Sequence, residues 1–409
     1  MKTGSVHRPR PWTPAVLVAY ALFVLVGLGA GANGVLLLAQ IDDYGVDRTT
    51  IGATFFTGSA GFVVAGALAG PLVHRWGYRT TLIAGTGVFV LAGVCVATRP
   101  AFVVFVVLQV GVGFATGLIE SVLNAYLAGL PRAATLLNRL HAFFGVGALL
   151  GPLLGAGMLR VTTWPIVVLT LAGVAVPLLV AVRLTYPAEP GIAAARGPSA
   201  EPAPVPGVGG AGLLRAALSR PAILLAATML TLYVGLELGV GNWAYGYLVE
   251  ARDLSDLQAG YAVSGYWLGL TLGRFLISPA AARRGITPVG TTYLCLGGIS
   301  AMALVTWAAP YAAVAAVGLA LLGFFLGPIF PTTMAVLPQL TSARLVPAAV
   351  GVVNAGSVVG GAALPWATGL VGEEVGAWTL LPIALVLGLL QLVVWWRTAA
   401  HVRRPVTPR

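Results

Sequence analysis

Charge is scarce in this chain. Only 9% of its 409 residues are Asp, Glu, Lys or Arg, where a soluble protein carries about 25%. Charge at that density cannot cover a water-exposed surface, so a soluble globular fold is excluded. Cysteine is scarcer still. Two residues, Cys95 and Cys295, exclude a disulfide scaffold and a cysteine zinc site. The four histidines, His7, His74, His141 and His401, stand far apart and leave no paired cluster for an intramembrane enzyme. No Gly-x-x-x-x-Gly-Lys loop is present to hold a nucleotide phosphate, which argues against an ATP-driven machine. No cofactor and no metal are expected. Apolar residues, by contrast, make up 58% of the chain, and the mean hydropathy is +0.93. That content excludes disorder and leaves a polytopic membrane protein.

The hydrocarbon core of a bilayer is about 30 Å thick, so a crossing helix needs roughly 20 apolar residues. Twelve such stretches are predicted: 13–40, 49–73, 80–98, 101–130, 137–160, 164–184, 222–249, 256–282, 288–308, 310–340, 344–370 and 377–396. None shows the period-2 alternation of a membrane barrel strand. Helices satisfy every backbone group internally, as lipid demands. The first run is too long for the core of a signal peptide and is expected to remain as the first span.

The net charge is +11, and its placement carries the information. With the amino terminus in the cytoplasm and the loops alternating, 18 of the 23 Lys/Arg fall inside. Four fall outside, Arg48, Arg99, Arg160 and Arg252, and Arg274 lies within the eighth span. Eight of the 12 acids fall outside, among them Asp42, Asp43, Asp47, Glu250 and Glu373. The Lys/Arg bias sets orientation, so both termini are expected in the cytoplasm and the protein in the cell membrane. The basic balance is an insertion signal and a contact with the lipid bilayer. No nucleic-acid-binding segment is present.

Residues 185–221 are rich in Pro and Gly and read as a flexible cytoplasmic linker, with a short surface helix near Gly212–Leu218. The linker separates an amino-terminal bundle, 1–184, from a carboxy-terminal bundle with a cytoplasmic tail, 222–409. The halves repeat. Gly27-Leu28-Gly29-Ala30-Gly31 matches Gly235-Leu236-Glu237-Leu238-Gly239 at an offset of 208, and Arg75-Trp76-Gly77 matches Arg283-Arg284-Gly285 at the same offset. Gly113-Phe114-Ala115-Thr116-Gly117 matches Gly323-Phe324-Phe325-Leu326-Gly327 at 210, and Pro152 matches Pro365 at 213. Four matches in order at nearly constant spacing predict an all-α fold of twelve transmembrane helices in two pseudo-symmetric six-helix bundles. A repeat about an axis along the membrane normal places a solute site between the bundles, reached by rocking. A monomer suffices for such a site.

These features resemble the major facilitator superfamily. Its signature between the second and third spans is similar to Gly70-Pro71-Leu72-Val73-His74-Arg75-Trp76-Gly77-Tyr78-Arg79, where Gly70, Leu72, Arg75, Gly77 and Arg79 match, His74 stands for the usual acid and Tyr78 for a usual basic residue. The resemblance implies a gating role for Arg75 and Arg79; the residues alone are equally explained by a tight turn obeying the Lys/Arg bias. Three stretches are similar to the fucose-permease branch: Gly117 to Tyr126, Leu137 to Gly147, and Glu237 to Leu248. That resemblance implies cation-coupled sugar transport. The first span lacks the acid of fucose permease and offers Asn33 in its outer half.

Only two acids lie within spans, Glu120 and Glu237. A charge at mid-membrane costs about 2.5–3.5 kcal/mol on insertion scales, so such residues are functional candidates. Both are candidate proton-coupling groups. Gln109, Glu120 and Asn124, at spacings of 11 and 4, share one helix face with Gly113 and Thr116. A polar face in lipid must point at protein or water, so Gln109 and Asn124 are candidate solute contacts. In the seventh span Gly239 and Gly241 are expected to loosen the helix and turn Asn242 and Trp243 inward. Trp243 reads equally as a ring stacked under a sugar and as an interface-belt residue. Asn33 and Asn354 are further candidate contacts. His141 and Arg274 are candidate gating residues. Two readings of Arg274 stay open: a partner for Glu120, or a side chain that snorkels.

The sequence thus predicts a secondary transporter that moves a small polar solute, with a sugar as one candidate, together with protons or sodium. Gly147-Ala148-Leu149-Leu150-Gly151-Pro152-Leu153-Leu154-Gly155 also resembles the Gly-Pro motif of drug–proton antiporters, so an exporter of drugs or metabolites is the alternative.

Overall fold

The computed structural model describes residues 13–188 and 210–402, without the side chains of 134, 210 and 211. Most of the expected linker, 189–209, lies outside the described residues, as do the first twelve residues and the tail from 403. The described chain forms α1 (Pro14–Tyr44), α2 (Arg48–Ile51), α3 (Ala53–Ala97), α4 (Phe102–Ala128), α5 (Ala133–Leu159), α6 (Trp164–Thr185), α7 (Gly210–Leu218), α8 (Pro221–Glu250), α9 (Asp256–Arg283), α10 (Pro288–Ala308), α11 (Ala312–Leu326), α12 (Ile329–Leu340), α13 (Val346–Glu374) and α14 (Leu380–Ala399). No strand occurs among the described residues.

Ten of these segments are long and apolar enough to cross a membrane. The difference from the expected twelve has two physical causes. The segment Arg48–Ala97 counts once, yet Gly77, at φ 76° and ψ 168°, breaks its helix into two spans. That φ is left-handed, where only glycine sits without strain. The second cause is α9, which Ser264, Thr271, Arg274 and its glycines make too polar to qualify; it packs on α5 and α11. The tenth span is also divided, at Gly327-Pro328, into α11 and α12, because Pro328 has no N–H to continue the ladder.

Without a hydrophobic drive between helices in lipid, small residues set the contacts, and here they repeat between the halves. In the first half, a Cβ on Gly61 would collide with the Val110 carbonyl, and one on Gly113 with the Gly58 carbonyl, so α3 and α4 meet backbone to backbone. In the second half Gly269 meets the Ala320 carbonyl and Gly323 meets the Tyr266 carbonyl, which joins α9 to α11 in the same way. Gly147 against Val24 and Gly360 against Thr231 repeat the α1–α5 contact as α8–α13. Gly285 after α9 repeats the left-handed φ of Gly77.

The two bundles meet at one end. This end carries α2, and we call it the Arg48 end; the other carries the described start of α1 and the short helix α7. At the Arg48 end α2 and the first turns of α3 dock on α13, and Gly34 of α1 lies against the backbone of Gly241 and Asn242 in α8. Along the flank α5 packs on α9. By contrast α4 packs on α1, α3 and α5 of its own bundle. The chain is therefore shut at the Arg48 end and parted along α4 towards the other.

Two arginines at the Arg48 end, Arg99 and Arg252, are tied down. Arg99 binds Asp43, which also accepts a 2.8 Å hydrogen bond from the Trp164 indole. Arg252 donates to the Tyr247 hydroxyl at 2.6 Å and to the carbonyls of Ala309, Thr306 and Trp307.

The glycine contacts generate a paired prediction. Gly31→Val drives a branched side chain into the Ala148 backbone, whereas a Cβ on Gly29 meets nothing within 4 Å. Overpacking of this kind costs about 1–3 kcal/mol. Thermal unfolding in detergent is expected to show a lowered midpoint for Gly31→Val and none for Gly29→Ala; equal midpoints would contradict the packing described.

Candidate functional site

Within the membrane-spanning part, α9 carries one arginine, Arg274. Its backbone sits against α11, because a Cβ on Gly327 would come within 2.6 Å of the Arg274 nitrogen. Its Nη2 pairs with Glu237 Oε1 on α8 at 3.2 Å, with side chains 29% and 13% exposed. Tyr266 donates its hydroxyl to the Glu237 carbonyl at 2.8 Å and fixes α8 on α9. Tyr233, buried one turn before Glu237, lies within electrostatic reach of both members of the pair. Of the two readings of Arg274 left open by the sequence, neither snorkelling nor a Glu120 ion pair is found; the partner is Glu237 in its own bundle.

Glu120 stands on α4, across the parting from this pair. Arg274 acts on it electrostatically without reaching ion-pair distance. Its carboxyl has no hydrogen-bond partner among the described residues; only its backbone carbonyl is used, by Asn124 Nδ2 at 2.9 Å. Gln109, Glu120 and Asn124 are all half-buried, but Gly113 of the same stripe is taken up in packing on α3. His141 on α5 is exposed and lines a small cavity together with Arg274. The structure thus brings Glu237, Arg274, Glu120 and His141 into one electrostatic cluster drawn from both bundles.

The other candidates lie elsewhere. Asn33 donates to Asn242 Oδ1 at 2.8 Å, and Asn242 in turn donates to the Leu238 carbonyl, so both amides help join α1 to α8. α8 is continuous from Pro221 to Glu250. Gly239 and Gly241 do not loosen it; Gly241 makes room for the Trp267 ring, which a Cβ would approach to 2.7 Å. Trp243 is neither under an open cavity nor at a lipid face. It is buried, donates Nε1 to the Pro365 carbonyl at 2.8 Å, and packs edge-on against Phe55. Asn354 is exposed on α13 and contributes only its carbonyl, to Ser357. Arg75 is exposed and Arg79 half-buried at the Gly77 bend, outside the cluster.

Sequence reasoning missed Arg48. It ion-pairs with Glu250 at the end of α8, donates its backbone N–H to Glu373 of α13 at 3.1 Å, and lies over the Trp243 ring at 5.7 Å from the centroid. Its partners are 202 and 325 residues away, so no local pattern signals them. Gly369 and Gly372 leave the space it occupies. One arginine of the first half is thereby clamped between two helix ends of the second.

The clamp joins the two bundles, and comparison with known proteins identifies the family. A family model described as Major Facilitator Superfamily matches residues 19–249 and 237–409. The chain belongs to the Major Facilitator Superfamily. It is a transporter-family membrane protein, not an enzyme. Among curated relatives, Bypass of stop codon protein 6 of Saccharomyces cerevisiae is 25% identical over 390 residues, 88% of this chain and 77% of that protein. The 4-hydroxybenzoate transporter PcaK of Pseudomonas aeruginosa is 27% identical over 191 residues, 44% of this chain and 40% of its own. Among solved structures, a bacterial homologue of the human lysosomal transporter Spinster, inward-facing and occupied, superposes with TM-score 0.75 at 12% identity, covering 96% of this chain and 98% of that one. The D-xylose–proton symporter gives 0.73 at 15%, covering 94% and 97%. At these identities the structures show the shared fold.

The clamp generates a prediction. Arg48→Ala removes an ion pair and a cation–π contact, together about 1–2 kcal/mol, a shift of about 5- to 30-fold in the closed-to-open ratio. Oxidative cross-linking between Asn33→Cys and Asn242→Cys reports closure, and its yield is expected to fall in the Arg48→Ala background. An unchanged yield would remove Arg48 from the closure.

Proposed function

We propose that this chain is a secondary active transporter that carries a small polar solute, with a sugar as the first candidate, together with protons across the cell membrane. Both termini lie in the cytoplasm in this reading, bundles 1–184 and 222–409 rock about the cluster, and the state described opens towards the cytoplasm. The observation that carries the reading is Glu120. It is an acid within a span, half-buried and without a hydrogen-bond partner for its carboxyl among the described residues, near an arginine whose charge is already met by Glu237. A carboxyl that is not needed to balance a charge is free to load and release a proton as the bundles expose it to one side and then the other. Glu237 holds Arg274 and is not the carrier. Asn33 and Asn242 close the path when joined.

The stretches similar to the fucose-permease branch support a sugar, and the relative named for 4-hydroxybenzoate keeps other small polar solutes in range. An exporter reading rests on the Gly-Pro stretch of α5. Gly147 and Gly151 there pack on α1, a need that either direction of transport shares, so the stretch does not favour export.

The driving force is adequate. One proton crossing 100 mV supplies about 2.3 kcal/mol, and one pH unit about 1.36 kcal/mol more, enough for a gradient of about 500-fold. Proteoliposomes test the reading. Solute-driven proton uptake is expected in the wild type, rising as the outside is made more acid, because protonation loads the carrier. Glu120→Gln is expected to abolish proton movement and flatten the pH dependence while solute counterflow persists. Unchanged proton uptake in Glu120→Gln would overturn the assignment.

A further inference from the structure

The cavity between α5 and α9 holds chemistry that proton carriage does not use. It is small and brings His141 and Gly145 of the first bundle against Trp267, Thr271 and Arg274 of the second. Its polar side chains present donors. Arg274 spends Nη2 on Glu237, yet its Nε is buried with no acceptor, and so is the Trp267 indole N–H, on a side chain only 3% exposed. Thr271 gives its proton to the Trp267 carbonyl at 2.9 Å and leaves an oxygen turned elsewhere. Neither Glu237 nor Glu120 lines the cavity. Buried donors left without acceptors are unfavourable, and an indole N–H beside a guanidinium whose own Nε is unpaired calls for an anionic acceptor. His141 adds to this. Its ring lines the first-bundle wall opposite Arg274, so a group held between the two touches both bundles.

We propose that the cavity binds the carboxylate of a small organic monocarboxylate, bridging His141 on α5 and Arg274 on α9. The inference rests on the transporter reading and narrows its solute from polar to acidic. One negative charge fits because the remaining walls, Phe275 among them, are apolar and leave a second charge unpaired. Bridging the two bundles also gives the solute a direct hold on their relative position, since α5 and α9 belong to different halves.

Thermal unfolding of the purified full chain with matched probes tests this. The pairs are glucuronate with glucose and benzoate with benzyl alcohol, and inorganic phosphate and chloride serve as plain anions. A carboxylate is expected to raise the midpoint where its neutral partner does not, and the pair that responds identifies the body attached to it. His141→Gln and Arg274→Lys are expected to weaken the apparent Kd for that carboxylate about tenfold or more. Where Arg274→Lys fails to fold, His141→Gln keeps the test open, because no described hydrogen bond depends on that ring. Glucose stabilising as well as glucuronate, phosphate or chloride matching the carboxylates, an affinity that survives His141→Gln, or no shift with any carboxylate would each overturn the proposal. Glucose-driven proton uptake without carboxylate binding would remove this inference and leave the transporter reading standing. Carboxylate binding with no proton movement would do the reverse.

Discussion

An arginine inside a membrane must find a countercharge, and the organisation of this protein follows from how Arg274 finds one. The guanidinium cannot be left in a low-dielectric interior without a partner. Gly273 and Gly327 let α9 and α11 approach backbone to backbone at its level, and Tyr266 locks α8 to α9 beside it. Those contacts deliver Glu237 to Arg274 from within the same bundle. The consequence falls on the other bundle. Glu120, on which the same guanidinium acts, is left without an ion pair and is, in the proposed reading, the group that changes its charge.

The closure at the opposite level has a different physical basis. The cluster around Arg274 lies where α4 is parted from the second bundle, whereas Arg48 works where α2 and α3 press on α13. There the contacts are a largely covered arginine, two exposed acidic helix ends and a tryptophan whose indole N–H is consumed by the Pro365 carbonyl. Partly exposed pairs of this kind are individually weak. Pairs of that strength can be broken and remade, as the proposed rocking requires, whereas the backbone-to-backbone glycine contacts hold each bundle together.

Span count, repeat and bend were legible because each depends on local sequence. The offset of 208 between Gly77 and Gly285 reappears as two left-handed glycines, and the offset of 210 between Gly113 and Gly323 reappears as two equivalent helix contacts. What stayed hidden depends on partners distant in the chain. Arg48 looked like an exception to the Lys/Arg bias, and its partners Glu250 and Glu373 come from the second half. Trp243 offered two readings from sequence and took a third, because only the fold brings Pro365 and Arg48 to it. Arg274 and Glu237 are separated by 37 residues on consecutive helices, a separation that helical periodicity does not address. The looseness expected in α8 failed for a related reason: its glycines accommodate neighbours, Trp267 at Gly241 above all.

The central claim is a division of labour between two carboxyls, one bound to Arg274 and one that exchanges its proton. Infrared difference spectra of the reconstituted protein, stepped between acid and alkaline buffer, read it directly through the C=O stretch of a protonated carboxyl. The account predicts a band that disappears in Glu120→Gln and persists in Glu237→Gln. A band that survives Glu120→Gln and vanishes in Glu237→Gln would contradict it.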